Sequence, residues 1–485
     1  MQINCDKKVN FTPNDFYESK ELYLDGAQKI ISVQALARPV SAEALSGEVR
    51  VGYALTIRAL YLEEDGNVCK KEETYDLNST IRASVNSANF VSVKTTAIGV
   101  EYSGTQNLKV RVMLEHKGFY LQNSSFEPCE RDGLFYKYKK VDSRRCAPIK
   151  QVEFVIDKAE VMKENLGEIL CADSIIVPKM VSTATDICQI EGTASIYITS
   201  VYGGELKWTC MNFPFSYELL AEGVGADDEA VLFLTPFMTS ISVTALESGI
   251  ELGVQIATEV KGYYARVEQI ECPIDAYSKE CELGLRTGDA VIVEKGCRIH
   301  LVERLNATLS LENVSDAVEI VSLGVPWVGA SNVTAKPNLN VDGVVCMEAI
   351  VKREEGERER VFLEIPYSFS LKEQVDCSEN VDVDIQIISP TARVRFGSSL
   401  EVSLEALVTV TGEEEKIITY LAGAEDRGEK VKNDAVISVY LVGEGETLFD
   451  CAKALGSDEE ELLALNPELD LPLKVGDKVL LYRPL

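Results

Sequence analysis

Histidine is scarce in this 485-residue chain: only His116 and His300 occur. So few imidazoles thin the usual supply of general bases and zinc ligands. The thirteen cysteines, spread from Cys5 to Cys451, never form a Cys-x-x-Cys pair, and their number is odd. That pattern matches neither a disulfide framework nor a zinc site, so reduced thiols acting as small hydrophobes are expected. Basic charge is short as well. Lys and Arg number 48 against 78 Asp and Glu, a formal net charge of −30, which repels phosphate backbones and anionic bilayers and argues against nucleic-acid partners. No run approaches the roughly 18 apolar residues that span a bilayer. Residues 1–8 are polar and lead into no signal-type apolar core. The expectation is a soluble protein retained where it is made, with no membrane insertion.

Catalytic signatures are missing too. There is no Gly-x-x-x-x-Gly-Lys-Ser/Thr loop, no Gly-x-Ser-x-Gly elbow and no His-Glu-x-x-His helix. Carboxylates are so abundant that no acid–base pair stands apart. Gly223-Val224-Gly225 reads as a turn. Neither enzyme activity nor a cofactor or metal is expected, and binding or scaffolding is favoured.

What is present is repetition. Length alone predicts about three domains, and three segments share one order of events. They open at Gly47-Glu48-Val49, Gly192-Thr193-Ala194 and Gly343-Val344-Val345, and pass through turns at residues 63–67, 203–204 and 354–357. Two then carry an aromatic-proline segment, Phe213-Pro214-Phe215 and Ile365-Pro366-Tyr367, where the first has Tyr75-Asp76-Leu77. Each closes on an alternating strand: Leu108, Val110, Val112, Leu114; Leu252, Val254, Ile256; Leu400, Val402, Leu404. Period-two alternation predicts half-buried strands over 108–115, 252–258 and 400–406. Gly47 to Gly118, Gly192 to Gly262 and Gly343 to Gly412 span 71, 70 and 69 residues. Short Val/Ile/Thr-rich strands with frequent turns favour β-sandwiches or small barrels. Residues 123–149 and 272–290 read as connectors. His116 shares a face with Leu114 and is expected to be packed rather than a ligand.

With their glycine-opened strand, Gly-containing hairpin and aromatic-proline strand, these repeats resemble the SPOCS domain, a β-rich module of endospore-forming bacteria. The predicted fold class is mainly β: three tandem β-sandwich-like SPOCS domains plus a small C-terminal βααβ domain. The boundaries are 1–125 for an N-terminal segment with repeat one, 150–271 for repeat two, 290–425 for repeat three and 436–485 for the last domain.

That last domain carries the sharper pattern. Tyr440-Leu441-Val442-Gly443-Glu444-Gly445-Glu446-Thr447-Leu448 precedes a helical stretch; Leu462, Leu463 and Leu465 lead to Asn466-Pro467, and Val475-Gly476-Asp477 precedes a returning strand. Thr447 with Asp450, and Ser457 with Glu460, read as capping pairs, and Gly456 as the stop of the first helix. Proline at 467 ends the second helix. This segment resembles a LysM domain. The resemblance implies a groove for N-acetylglucosamine-containing glycans between two loops, Gly445, Glu446, Thr447 and Leu448 facing Asn466, Pro467, Glu468 and Leu469. Phe449 and Cys451 stand where the family often has tryptophan or isoleucine. The acidic run 458–461 suits a basic protein patch as well as it suits a sugar. Glu446, Thr447, Leu448, Asn466 and Leu469 are expected at a surface, Phe449 and Leu462 in the core.

SPOCS-like repeats joined to one LysM resemble spore-coat morphogenetic proteins of the SipL type. The resemblance implies a non-enzymatic adaptor in the mother-cell cytoplasm. It would sit at the forespore surface, bind the coat's basement-layer ATPase and other coat proteins, and drive coat encasement. The alternative is a peptidoglycan-binding protein of the cell wall or spore cortex.

Overall fold

Strands dominate because apolar and polar residues alternate along most of the chain, and a strand turns such alternation into one buried face. The computed structural model describes residues 2–310, 317–334, 339–371, 381–395, 399–431 and 435–482. The described chain is mainly β, with only two short helices, both near its C-terminal end.

The first repeat comprises β1 (Ile3–Asn10), β2 (Asn14–Tyr23), β3 (Ala27–Leu45), β4 (Glu48–Glu63), β5 (Val68–Arg82), β6 (Val91–Ser103) and β7 (Asn107–Phe126). One sheet places β7 between β6 and the collinear β1 and β2, and the other runs β3-β4-β5. The second repeat restates this with β8 (Phe135–Met162), β9 (Glu168–Ala184), β10 (Ile187–Tyr202), β11 (Glu205–Leu220), β12 (Glu229–Leu246) and β13 (Gly249–Tyr277). Its sheets run β12-β13-β8 and β11-β10-β9. The third has β14 (Cys281–Ser310), β15 (Ala317–Leu323), β16 (Trp327–Thr334), β17 (Leu339–Arg353), β18 (Arg358–Leu371), β19 (Asp382–Arg395) and β20 (Ser399–Glu429). Here β14-β20-β19 faces a sheet centred on β17. Thus one sheet pairs each repeat's first and last strands, and the other is a meander.

Both sheets of a repeat share one hydrophobic core, as with Leu55, Ile57, Leu108 and Leu114 in the first. Ile196, Phe215, Leu252 and Ile256 do so in the second, and Val345, Ile365, Leu400 and Leu404 in the third. Fully burying each such side chain stabilises the fold by roughly 1.5–3 kcal/mol. The alternating segments 108–115, 252–258 and 400–406 lie in β7, β13 and β20 as the pattern predicts, with Leu108, Leu252 and Leu400 fully buried. Pro214 and Pro366 fall on β11 and β18, each the last strand of its meander, the edge position to which proline is confined in sheets. At Gly118 and Gly262 an added Cβ would lie 2.1 Å from the carbonyl oxygens of Ser92 and Val231, so glycine is required at both closings.

Two readings need correction. Residues 135–149, 272–277 and 281–290 are not connectors: they belong to β8, β13 and β14, and only short turns separate the repeats. Polar composition disguised them because these strands leave the sheet pairs as two-stranded ribbons. Gly47 is also not the counterpart of Gly192. It sits in the β3–β4 turn with φ +83°. Gly52, inside β4 and opposite Asn78, matches Gly192 opposite Phe215 and Gly343 opposite Tyr367.

The ribbons bring the repeats together. In β13, Leu252 and Ile256 fill the second repeat's own core. Further along, Tyr263 packs with Phe119 of β7. Cys272 then joins Ile3, Cys5, Val141, Ile292 and Ile418, a core with residues from all three repeats. A second three-way core, at the meander hairpins, unites Ile31, Leu60, Leu170, Leu206, Val321 and Ile350. Polar contacts close this second junction in a ring. Arg58 of β4 forks onto Asp173 of β9 at 2.7 and 3.0 Å. Lys352 of β17 meets Glu205 of β11 at 2.7 Å, and Lys29 of β3 meets Glu357 at 3.6 Å.

Candidate interaction site

The C-terminal module comprises β21 (Ile437–Leu441), α1 (Leu448–Leu455), α2 (Glu459–Leu465) and β22 (Lys478–Tyr482), the strands pairing antiparallel. Residues 483–485 of the expected 436–485 domain lie outside the described residues. Its first loop is shaped by glycine and one carboxylate. Gly445 takes φ +75°, and Glu446 accepts from the Gly443 N–H at 2.7 Å and the Tyr440 hydroxyl at 2.8 Å. Thr447 then starts α1: its N–H and hydroxyl donate to Asp450 at 2.8 and 2.7 Å. Gly456 ends α1 in the left-handed region, its N–H reaching the Ala452 carbonyl at 2.8 Å.

The cap of α2 differs from the Ser457–Glu460 expectation by one residue. Asp458 accepts the Glu461 N–H at 2.6 Å, while buried Ser457 donates to the Glu461 side chain. A carboxylate at the N-cap outcompetes a hydroxyl because it carries full charge beside the helix N-terminus.

The eight candidate groove residues separate by exposure. Gly445, Thr447, Pro467 and Glu468 are exposed, and Glu446 and Leu469 are half-buried. Leu448 and Asn466 are not at the surface, contrary to expectation. Leu448 packs in the module core with Phe449, Cys451 and Leu462. Asn466 is 1% exposed: its amide donates to the carbonyls of Leu462 and Leu480, and its oxygen accepts the Leu480 N–H, all within 2.7–2.8 Å. Asn466 therefore pins the second loop to β22 by satisfying backbone groups left open at a helix end. Leu469 also rests on the module core, so an arginine there would disturb packing as well as any bound partner.

One surface escaped the motif reading. Ile437, Val439 and Leu441 alternate on the outer side of β21, 54–62% exposed, with Ile437 paired opposite the exposed Tyr482. The alternation Ile-Ser-Val-Tyr-Leu was its available signal. Nothing in the sequence said which face the helices would cover.

Away from the module, a cavity of about 500 Å³ lies where the three repeats meet, lined by Lys8, Arg144, Glu229, Tyr263, Asp382 and Glu413 among others. Its charges face each other in pairs, Lys8 on Asp382 and Arg144 on Glu413, each at 2.6 Å. Burial pushes the Glu413 carboxyl up despite Arg144. Such closed pairing suits a structural junction. His116 is fully buried against Phe16 and Tyr53, held by Ser79 at 2.5 Å and Thr95 at 3.0 Å. Burial lowers its pKa to about 4, so it is a neutral packing residue. Among the described residues no cluster of three or more His, Cys, Asp or Glu is placed to hold a metal, and eleven cysteines are free thiols. No family model matches the chain, and no curated protein or solved structure matches it.

Proposed function

We propose that this protein is a non-enzymatic morphogenetic adaptor of the spore coat, built from three SPOCS-like repeats and a LysM-like module. It works in the mother-cell cytoplasm at the forespore surface, binds the coat's basement-layer ATPase and drives encasement by coat proteins. The observation that carries the reading is the combination in one chain of a three-fold repeated two-sheet unit and a C-terminal βααβ module with the Gly-Glu-Thr-Leu and Asn-Pro loops. The repeats bury their mutual contacts in two three-way cores, which suits a rigid platform. The module leaves an apolar strand face and the loop residues Thr447, Pro467 and Glu468 open for a partner.

The test is a pair of pulldowns with the full chain, one on sporulating-cell coat proteins and one on purified peptidoglycan. Retention of the basement-layer ATPase, lost with Val439→Glu on the exposed strand face, supports the adaptor. Retention on peptidoglycan without any coat protein overturns it in favour of a glycan-binding role.

A further inference from the structure

The module does not hang from the repeats as a free tether. Tyr277, the last residue of β13, is 3% exposed and belongs to the module's own hydrophobic core. Its ring meets Phe449 edge-on at 5.1 Å and stacks on Phe135 of β8 at 5.1 Å. Its hydroxyl donates to the Ser457 carbonyl, between α1 and α2, at 2.7 Å. Charges then cross the seam in both directions. Lys137 of β8 reaches Asp450 at 2.8 Å, Lys453 of α1 reaches Asp275 of β13 at 2.6 Å, and Lys279 bonds Asp458. Lys430, just past β20, adds a bond from its N–H to the Glu280 carbonyl at 2.9 Å and one from its ammonium to the Lys453 carbonyl at 3.3 Å.

The two acceptors on the module side have a second task. Asp450 holds the N–H and hydroxyl of Thr447, and so fixes the end of the first loop. Asp458 caps α2 through the Glu461 N–H, and the far end of α2 carries Asn466, which anchors the second loop. We propose that Lys137 and Lys279 latch the module onto the repeats and, by gripping the aspartates that cap its two helices, act as positioning residues for both loops. The surface offered to a partner is then set by the repeats as well as by the module. The electrostatics agree. Burial alone would raise the Asp450 carboxyl, yet the bonds from Lys137 and Thr447 bring it below its ordinary value. Asp458 is lowered by Lys279 and by the Glu461 N–H.

The test is hydrogen exchange on the full chain at neutral pH, comparing wild type with the double variant Lys137→Ala/Lys279→Ala. The expected result is at least tenfold faster exchange of the amides of α1 and α2, with β4, β10 and β17 unchanged. Lys137→Arg/Lys279→Arg should restore protection, since charge and donor are kept. Raising salt to about 1 M, where the Debye length falls to about 3 Å, should speed the same amides in the wild type. Wild-type protection of α1 and α2 in the alanine variant would overturn the latch. So would loss of protection that spreads to β10, which would place the effect in the repeats and not at the seam. Neither outcome depends on what partner the module binds.

Discussion

The fork of Arg58 onto Asp173 offers the sharpest test of whether the first two repeats are one cooperative body. Arg58 is 5% exposed, and its guanidinium spends three N–H groups on carboxylates: Nη1 and Nη2 on Asp173, and Nε on Glu72 at 2.6 Å. Arg58→Met keeps most of the aliphatic stem but leaves Asp173, itself largely covered, beside the three-way core without its counter-charge. Breaking a buried pair from one side costs about 3–5 kcal/mol, because an uncompensated charge stays behind. Arg58→Met/Asp173→Leu removes both charges and should recover most of that loss, a coupling of about 2 kcal/mol or more. Urea unfolding followed by circular dichroism measures all four corners of the cycle, and the Trp208 and Trp327 fluorescence of the second and third repeats should shift with it. A single-variant loss under about 1 kcal/mol, or losses that simply add, would refute the reasoning. The junction would then be a wet surface contact between independent repeats.

Three further outcomes are expected. His116 has a folded pKa of about 4 against an ordinary 6.5, so protons bind the unfolded chain first; stability should be intact above pH 6.5 and fall towards pH 4, by at most about 3 kcal/mol at 1.36 kcal/mol per unit. Denaturation midpoints across that range, for wild type and His116→Asn, check it, and an unchanged slope in the variant would remove His116 as the source. Gly262→Ala should destabilise the second repeat by on the order of 3 kcal/mol, since its Cβ would collide with the Val231 carbonyl; a thermal midpoint within a degree of wild type would show that the β12–β13 pairing at Gly262 can yield. Phe449→Ala, which empties a site 4% exposed, should cost about 3–5 kcal/mol and melt the module while the repeats keep their sheets, as limited proteolysis at residues 448–465 would report.

Periodicity of two was legible without coordinates. It marked Leu108–Leu114, Leu252–Ile256 and Leu400–Leu404 as buried faces, and the described strands bury them. Local signals of capping were equally legible for Thr447 with Asp450 and for Gly456, because both devices act within four residues. The packing of His116 followed from its position on the Leu114 face.

Other features depended on contacts that no local pattern encodes. Residues 135–149 and 281–290 looked like connectors because their apolar residues are few, and some of those are covered by other repeats, as Val141 and Ala290 are in the core they share with Ile3. Asn466 looked like a surface residue because its type is polar, yet the strand that takes its hydrogen bonds lies fourteen residues on. Tyr277 carried no motif at all, and 172 residues separate it from Phe449. Composition and spacing determined that this chain would form β-rich repeats and a small capped C-terminal module. Only tertiary structure decided that the repeats close on shared cores and that the module is seated on them, since burial and ion pairing between distant segments depend on where the backbone brings them together.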